Sequence, residues 1–306
     1  MPRRPTSTSS FGSGRRESHD ASGFYQRFPP PNISPDDEIG RAAVVDRLFV
    51  GDARQMNAEQ VADLSVALVV TSPPYFTGKE YEEVISAGEE PLAYGRYLDM
   101  LREVLSVCAQ KLEPGGRLAI NVANLGRRPY RSLAADVTTI IQDDLGLLLR
   151  GEIVWRKARG QSGSCAWGSY RSPANPVLRD LTERVIVACK GRFDRAISRA
   201  ERQRRGLPHL ATISAEEFMQ ATLDLWEIPS ASANRIGHPA PFPLDLPRRL
   251  IELYTFAGDL VLDPFVGSGT TALAAQQSGR HYVGFDIEPA YIELAERRLE
   301  TTPLPT

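Results

Sequence analysis

A glycine-rich turn near the carboxyl end of the chain constrains the fold more than any other feature. The apolar stretch "LVLDPF", residues 260–265, predicts a buried strand, which runs through Gly267-Ser268-Gly269 into a helical pattern beginning near Thr270. Glycine at such a junction lets a ligand approach backbone N–H groups at the positive end of the helix dipole. The next strand pattern ends in "GFDI", which places Asp286 where its carboxylate can accept hydrogen bonds from ribose hydroxyls. The unit therefore predicts a site for a nucleoside cofactor.

The position of this turn restricts the topology. The spacing Gly267-x-Gly269-x-x-Ala272 also fits a dinucleotide-binding fingerprint, but only 37 residues follow Gly269. That length is too short to build the two halves of a dinucleotide-binding fold. Strands from the amino-terminal part must complete the sheet, so the order of the strands in space differs from their order in the sequence.

Strand and helix patterns alternate through most of the chain. Apolar runs predict strands at 46–52, 66–72, 113–122, 151–157 and 183–190. Helical spacing predicts helices at 54–64, 93–112, 131–144, 214–221 and 246–256. Such alternation predicts an α/β fold with a Rossmann-like, mainly parallel sheet that carries helices on both faces.

Two segments depart from this pattern. Residues 1–38 are rich in Ser, Gly, Pro and Arg without apolar periodicity, which predicts a disordered tail. Residues 158–235 collect Gly, Ser, Pro and Arg and are expected to be an inserted region. The main domain is then formed by residues 39–157 and 236–301.

A second motif, "TSPPY", stops the strand pattern at 66–72. Proline fixes its φ angle and lacks an N–H, so Ser72, Pro73 and Pro74 form a stiff corner whose carbonyl groups are free to accept. The Ser72 hydroxyl and the Pro73 carbonyl suit the two N–H groups of an exocyclic amino group on a nucleobase. Tyr75 can stack on the face of that base. The alternative interpretation is a proline-terminated edge strand.

Thr71-Ser-Pro-Pro-Tyr75 followed downstream by Asp263-Pro-Phe-Val-Gly-Ser-Gly269 resembles the beta class of amino DNA methyltransferases, with a circularly permuted motif order. The resemblance covers about residues 46–299 and implies direct methyl transfer from S-adenosylmethionine, without a metal or a covalent intermediate. It implies that 39–157 is the catalytic half, 158–235 the target-recognition region and 236–301 the cofactor-binding half. The catalytic residues that it implies are Ser72, Pro73, Pro74 and Tyr75. The implied cofactor-binding residues are Asp52, His238, Phe242, Asp263, Pro264, Phe265, Gly267, Ser268, Gly269, Thr270 and Asp286.

The first residue of the catalytic motif bears on the target base. Within the resembled family, Ser at the position of Ser72 is typical of N4-cytosine enzymes, whereas Asp or Asn is more typical of N6-adenine enzymes. Methylation at cytosine C5 needs a Pro-Cys pair, and Cys108, Cys165 and Cys189 each follow another residue type. The expected activity is N4-cytosine methylation. The alternatives are N6-adenine methylation, a related methyltransferase acting on RNA or a protein amide, and an inactive DNA-binding relative.

The charge distribution indicates where DNA binds. The net charge is −2, yet residues 156–205 hold thirteen Lys or Arg against four Asp or Glu. A basic segment in an otherwise acidic chain suits a polyanion, although a merely solvated face is the common alternative. Because a paired base cannot reach such a cleft, we expect double-stranded DNA with the target base flipped out. The candidate DNA-binding residues are Arg156, Lys157, Arg159, Arg171 and Arg179.

The expected surroundings of the protein follow from what the sequence lacks. No apolar run approaches the ~20 residues of a membrane-spanning helix, and the Arg-rich and Ser-rich start lacks the apolar core of a signal peptide. We therefore expect a cytoplasmic, nucleoid-associated protein. The resemblance allows two further partners: a second copy of the chain in a homodimer, and a separate restriction endonuclease.

Overall fold

The computed structural model describes residues 33–74, 94–124, 130–157, 168–169, 171–178, 181–230 and 242–302. Predictions made for Tyr75, Arg159, Arg179, His238 and residues 1–32 of the tail lie outside these ranges. No helix in the described part of the chain is long and apolar enough to cross a membrane.

The described residues form an eight-stranded sheet in the order β1-β8-β7-β2-β3-β5-β4-β6. Among these strands, β5 alone runs antiparallel to its neighbours. The predicted mainly parallel sheet with permuted strand order is confirmed. The strands are β1 Arg47–Val50, β2 Val66–Thr71, β3 Leu112–Val122, β4 Leu148–Arg156, β5 Thr182–Cys189, β6 Leu225–Glu227, β7 Leu260–Asp263 and β8 His281–Asp286.

Strand β2 occupies the middle of the sheet. Val69 pairs with Leu262 of β7 on one side and with Leu118 of β3 on the other. All six residues of β2 are buried, as expected for a parallel strand covered on both faces. The catalytic motif that follows β2 and the glycine turn that follows β7 therefore leave the sheet side by side.

Helices cover both faces of the sheet, as predicted. One face packs α1 and α2 over a cluster that includes Leu101, Leu105 and Leu133. The other packs α5, α6 and α7 over a cluster that includes Leu250 and Leu273. The helices are α1 Tyr94–Lys111, α2 Leu133–Thr139, α3 Arg199–Arg204, α4 Ala215–Ala221, α5 Asp245–Tyr254, α6 Thr270–Gln277 and α7 Pro289–Thr301.

The predicted helix at 54–64 is wrong. The chain there forms one 3-10 turn, Ala53–Gln55, and then further turns. The Asn57 side-chain oxygen accepts hydrogen bonds from the backbone N–H groups of Glu59 and Gln60. Such local side-chain bonds offer the backbone an alternative to the helix, and polar residues of this kind favour turns.

The segment predicted as an insertion, 158–235, is not separate from the sheet. Strand β5 lies between β3 and β4 and completes the main sheet. Further along, the buried Arg202 and the partly buried Arg195 pair with the buried carboxylates of Glu113 and Asp259. These contacts fasten the chain after β5 to the rest of the domain. Residues 158–181 lie between β4 and β5 in the sequence.

Candidate active site and cofactor pocket

The ends of β2 and β7 are joined by a buried hydrogen bond. Thr71 Oγ1 donates to Asp263 Oδ1 at 2.7 Å, and the backbone N–H of Phe265 donates to the same oxygen at 3.1 Å. Burial raises the pKa of Asp263 to about 6, against the lowering effect of hydrogen bonds from Thr271, Thr71 and the Phe265 backbone. The Asp263 carboxylate is therefore an internal acceptor that holds the two motifs together.

The glycine turn is fixed by contacts from two sides. The Asp286 carboxylate accepts from the N–H of Gly267 at 3.0 Å, and the N–H of Gly269 donates to the carbonyl of Val266 at 2.8 Å. Both glycine N–H groups thus have internal acceptors. A Cβ at Gly269 would lie 2.7 Å from the Ala295 Cβ, and the φ of Gly269 is +78°. Glycine is needed here for backbone conformation and for close packing of the turn on α7.

Arg298 on α7 binds the turn from behind. Its guanidinium donates to the backbone carbonyl of Ser268, to Ser268 Oγ at 2.9 Å and to Thr270 Oγ1 at 3.3 Å. Ser268 and Thr270 are both buried. These two side chains, predicted to bind the cofactor, therefore bond to Arg298.

A cavity of about 480 Å³ lies in front of the two motifs. It lies within the range of ~300–1,000 Å³ that small-molecule sites occupy. Five predicted site residues come together in its wall: Asp52, Pro74, Pro264, Phe265 and Asp286. The side chain of Phe242 packs against the other core cluster and does not line this cavity.

Helix α1 supplies a wall that the sequence motifs do not predict. The residues that line the cavity from this helix are Arg96, Asp99, Met100, Glu103 and Val104. Their spacing of three and four places them along one face of the helix. That spacing is the signal that would have identified them once the helix was known to cover the carboxyl end of β2.

Asp52 lies in the cavity wall with two partners on Arg54. Its Oδ1 accepts from the Arg54 backbone N–H at 2.9 Å, and its Oδ2 accepts from the guanidinium at 2.6 and 2.8 Å. Burial raises the pKa of Asp52, but the hydrogen bonds and charge of Arg54 outweigh it and leave the pKa below its ordinary value. Arg54 also reaches Glu103 of α1 at 3.3 Å. Asp52 is thus a carboxylate held in one orientation at the mouth of the cavity.

Asp286 is the second carboxylate of the cavity. Its Oδ1 accepts from the Glu288 N–H and its Oδ2 from the Gly267 N–H, both at 3.0 Å. Burial raises its pKa, while these backbone donors lower it. A carboxylate has about four acceptor positions, so Asp286 can accept from a hydroxyl donor in addition to these backbone groups. The pair of carboxylates at the carboxyl ends of the neighbouring parallel strands β1 and β8 suits the amino and hydroxyl groups of a nucleoside.

The comparison with known proteins decides the family. The model of a DNA methylase family, N6_N4_Mtase, matches residues 66–297. The chain belongs to this DNA methylase family. The Type II methyltransferase M.BglI of Bacillus subtilis is 30% identical over 308 residues, covering 82% of this chain and 84% of that protein.

Solved structures show the same fold. A protein of Thermus thermophilus, TTHA0409, complexed with S-adenosyl-L-methionine, is 32% identical with a TM-score of 0.63, covering 83% of this chain and 92% of that one. The PvuII DNA methyltransferase, described as cytosine-N4-specific, is 22% identical with a TM-score of 0.63, covering 85% and 90%. The expected beta-class amino methyltransferase fold is confirmed.

The cofactor of this DNA methylase is S-adenosylmethionine. The described residues fit it: the cavity has sufficient volume, Asp52 and Asp286 offer acceptors, and Phe265 offers an apolar surface. Gly267 and Gly269 have positive φ angles, which allow the tight turn between β7 and α6. The chain is therefore a methyltransferase that acts on DNA with this cofactor.

Two of the predicted DNA-binding residues have acidic partners. Arg156 forms an ion pair with Glu227, and Lys157 Nζ lies 2.8 Å from Glu183 Oε1. Arg171 is exposed and has a φ of +58°. Lys157 and Arg156 stand where β4 leaves the sheet, at the edge that also carries Ser72.

Proposed function

We propose that this DNA methylase transfers the methyl group of S-adenosylmethionine to the N4 amino group of a cytosine, at a specific sequence in duplex DNA. The observation that carries the proposal is that Pro74 lines the same cavity as Asp52, Phe265 and Asp286. The corner that starts with Ser72 therefore adjoins the cofactor pocket, at the carboxyl end of a central parallel strand where ligands gather.

The corner supplies acceptors that an amino group requires. An exocyclic amino nitrogen is a poor nucleophile because its lone pair is delocalised into the ring. Hydrogen bonds from its two N–H groups to the Ser72 hydroxyl oxygen and the Pro73 carbonyl favour a more tetrahedral nitrogen. Bound S-adenosylmethionine supplies an electrophilic methyl group. Attack by the amino nitrogen would break the bond between sulfur and the methyl carbon, release S-adenosylhomocysteine, and leave a cationic nitrogen that then loses one proton. Alignment of the two reactants lowers the barrier. Tyr75 is assigned the stacking position by the sequence alone.

Cytosine is preferred over adenine because Ser72 occupies the first motif position. The preference rests on the family resemblance, since serine and aspartate both accept hydrogen bonds from an amino group. N6-methyladenine is the second possible product of the same machinery.

Residues 158–181 are assigned to target recognition. They follow β4, which runs parallel to β2, so the segment leaves the sheet at the edge that carries Ser72. Arg156, Lys157 and Arg171 are the described candidates for phosphate or base-edge contacts. Because the site is recessed beside a helix wall, the target base is flipped out of the duplex to reach it. A separate restriction endonuclease is the proposed companion, since relatives such as M.BglI are named Type II methyltransferases.

The test is a product assay. The wild-type protein is incubated with unmethylated genomic DNA and S-adenosylmethionine, the DNA is digested to nucleosides, and modified bases are quantified by mass spectrometry. Ser72→Ala and Tyr75→Ala are the loss-of-function variants, and Ser34→Ala, at a serine remote from the cavity, is the matched control.

We expect the wild type and the Ser34→Ala control to form N4-methylcytosine and the other two variants to form none. N6-methyladenine as the product would overturn the cytosine assignment and leave intact the proposed role of the corner formed by Ser72, Pro73 and Pro74. No modified base on any DNA would overturn the proposed activity in favour of an inactive DNA-binding relative.

A further inference from the structure

A row of polar side chains leads from Ser72 across the sheet. Asn121 on β3 donates from Nδ2 to Ser72 Oγ at 3.4 Å and to Glu183 Oε2 on β5 at 2.5 Å. Lys157, directly after β4, donates to the other oxygen of Glu183 at 2.8 Å. The row therefore spans the ends of four adjacent strands.

The strand registers explain how these residues meet. Asn121 and Glu183 lie on the face of the sheet opposite to Ile120 and Val122, because side chains alternate along a strand. Ile120 and Val122 belong to the core under α1 and α2, so Asn121 and Glu183 face the other helix layer. Asn121 is 3% exposed and Glu183 is 7% exposed. A carboxylate buried to this degree is costly unless it is paired and hydrogen-bonded, and here each of its oxygens has a donor.

The carboxylate determines the orientation of the amide. Glu183 as a carboxylate only accepts hydrogen bonds, so the NH2 end of Asn121 must face it. The second N–H of the same nitrogen then faces Ser72 Oγ. Because this bond occupies one acceptor position of the hydroxyl, the Ser72 proton cannot point at Asn121.

We propose that Asn121 is a positioning residue that sets the orientation of the Ser72 hydroxyl toward the target base, and that Glu183, braced by Lys157, fixes the Asn121 amide for this task. This inference rests on the proposed function, because it concerns the orientation of the Ser72 hydroxyl that binds the amino group of the target base. The distance of 3.4 Å is long for a hydrogen bond, and catalytic bonds of this kind shorten when the substrate binds.

The row also connects the site to the recognition segment. Lys157 directly precedes residues 158–181, and its ammonium bonds to Glu183. The start of the recognition segment is therefore linked to the Ser72 hydroxyl through two hydrogen-bonded side chains, Glu183 and Asn121.

The test measures methyl transfer in a single turnover, with the wild type, Asn121→Ala, Glu183→Gln, Ser72→Ala and the combined variants. Loss of Asn121 is expected to lower the rate by about tenfold to a hundredfold, because small misplacements of a reacting group cost this much. The affinity for S-adenosylmethionine, measured by calorimetry, should stay within about twofold of the wild-type value, since Asn121 is not in the cavity wall. Glu152→Gln, at an exposed carboxylate of β4 that pairs with Arg184, is the matched control and should keep the wild-type rate.

The combined variants separate positioning from general damage. If Asn121 acts through Ser72, then Asn121→Ala should cause no further loss in the Ser72→Ala background. If Glu183 acts through Asn121, then Glu183→Gln should cause no further loss in the Asn121→Ala background. The second comparison can be made even if Ser72→Ala has no residual activity. If Asn121→Ala fails to fold, Glu183→Gln still tests the row of side chains, because it keeps the shape of the glutamate side chain.

The outcomes are distinct. Two results would overturn the positioning role and leave the proposed function intact, provided that the wild type transfers methyl groups. One is an unchanged rate in Asn121→Ala, and the other is fully multiplicative losses of rate in the combined variants. A weaker affinity for S-adenosylmethionine that accounts for the whole loss would also overturn it. No methyl transfer by the wild type on any DNA would overturn the proposed function and this inference together.

Discussion

Replacement of Gly269 by alanine tests the packing of the glycine turn. The residue has a φ of +78°, and an added Cβ would lie 2.7 Å from the Cβ of Ala295 and 3.1 Å from its Cα. Ala295 is fully buried on α7, so neither partner can move without shifting a helix. The substitution therefore introduces backbone strain and a steric clash at one site.

The two contributions have separate magnitudes. A left-handed conformation costs a residue with a Cβ about 1–2 kcal/mol. Overpacking of a filled core by a methyl group adds about 1–3 kcal/mol. We therefore expect Gly269→Ala to lower the free energy of unfolding by about 2–5 kcal/mol, a large part of the ~5–15 kcal/mol that stabilises a typical domain.

Two further variants separate the cost of the backbone conformation from the cost of the steric clash. Gly279 has a φ of +70° and no atom within 4 Å of an added Cβ, so Gly279→Ala should report the backbone cost alone. Ala295→Gly removes the clashing methyl group, and combined with Gly269→Ala it should recover about 1–3 kcal/mol relative to additive losses.

The assay is urea unfolding followed by far-UV circular dichroism, with the affinity for S-adenosylmethionine measured in parallel. Equal losses in Gly269→Ala and Gly279→Ala, or additivity between Gly269→Ala and Ala295→Gly, would refute the packing argument. It would show that the turn tolerates a side chain toward α7.

Three further predictions concern charge. Burial raises the pKa of Asp263 from 3.8 to about 6, so the native state binds this proton more tightly than the unfolded state does. The stability that the proton adds to the native state is complete below pH 3.8 and is lost as the pH rises through 6. At 1.36 kcal/mol per pKa unit, the shift corresponds to about 3 kcal/mol. In urea titrations, the stability of Asp263→Asn relative to the wild type should therefore rise by about 2–3 kcal/mol between pH 4 and pH 7.5. A difference in stability between the two proteins that does not change with pH would contradict the burial argument. Asp52→Asn leaves one oxygen, which the Arg54 backbone N–H already uses, so calorimetry should show about tenfold weaker binding of S-adenosylmethionine with an unchanged melting temperature. DNA affinity should fall steeply between 50 and 200 mM salt in fluorescence anisotropy, and a flat response would argue against phosphate contacts.

The sequence predicts the fold well where local signals agree with the tertiary structure. The apolar run of β2, the glycine turn between a strand and a helix, and the helical spacing of Leu101 and Leu105 are local patterns that agree with the folded structure. The position of Gly269, with few residues after it, also predicts that the sheet is completed by strands from the other end of the chain. The fold class, and the difference between the order of the strands in space and their order in the sequence, follow from these features.

Other features depend on contacts between distant residues and could not be predicted. Strand β5 has an ordinary strand pattern, but its place between β3 and β4 follows from pairing that composition does not reveal. The cavity wall on α1 depends on which face of the helix covers β2. The contacts of Ser268 with Arg298, and of Ser72 with Asn121, join residues that no local pattern relates.

The candidate site is predicted in part for the same reason. Asp52, Pro74 and Asp286 are found together because each lies at or shortly after the carboxyl end of a strand, and parallel strands end at one edge of the sheet. The distribution of hydrogen bonds among neighbouring polar groups is a property of the folded chain. Ser268 and Thr270 show this, since their motif position is correct and yet their side chains bond to Arg298.

The pairing of β2 with β7 has a consequence for biosynthesis. Thr71 and Asp263 are bonded although 192 residues separate them, and β7 and β8 stand between β1 and β2 in the sheet. During translation, β1 and β2 therefore emerge early but cannot take their places in one sheet until β8 has left the ribosome. Contacts of such long range slow folding, and a nascent chain that exposes the apolar β2 meanwhile is open to aggregation and chaperone binding. A ribosome-stalled chain that ends before β7 should lack the cofactor pocket, so this permuted order delays the appearance of activity until β7 and β8 have been synthesised.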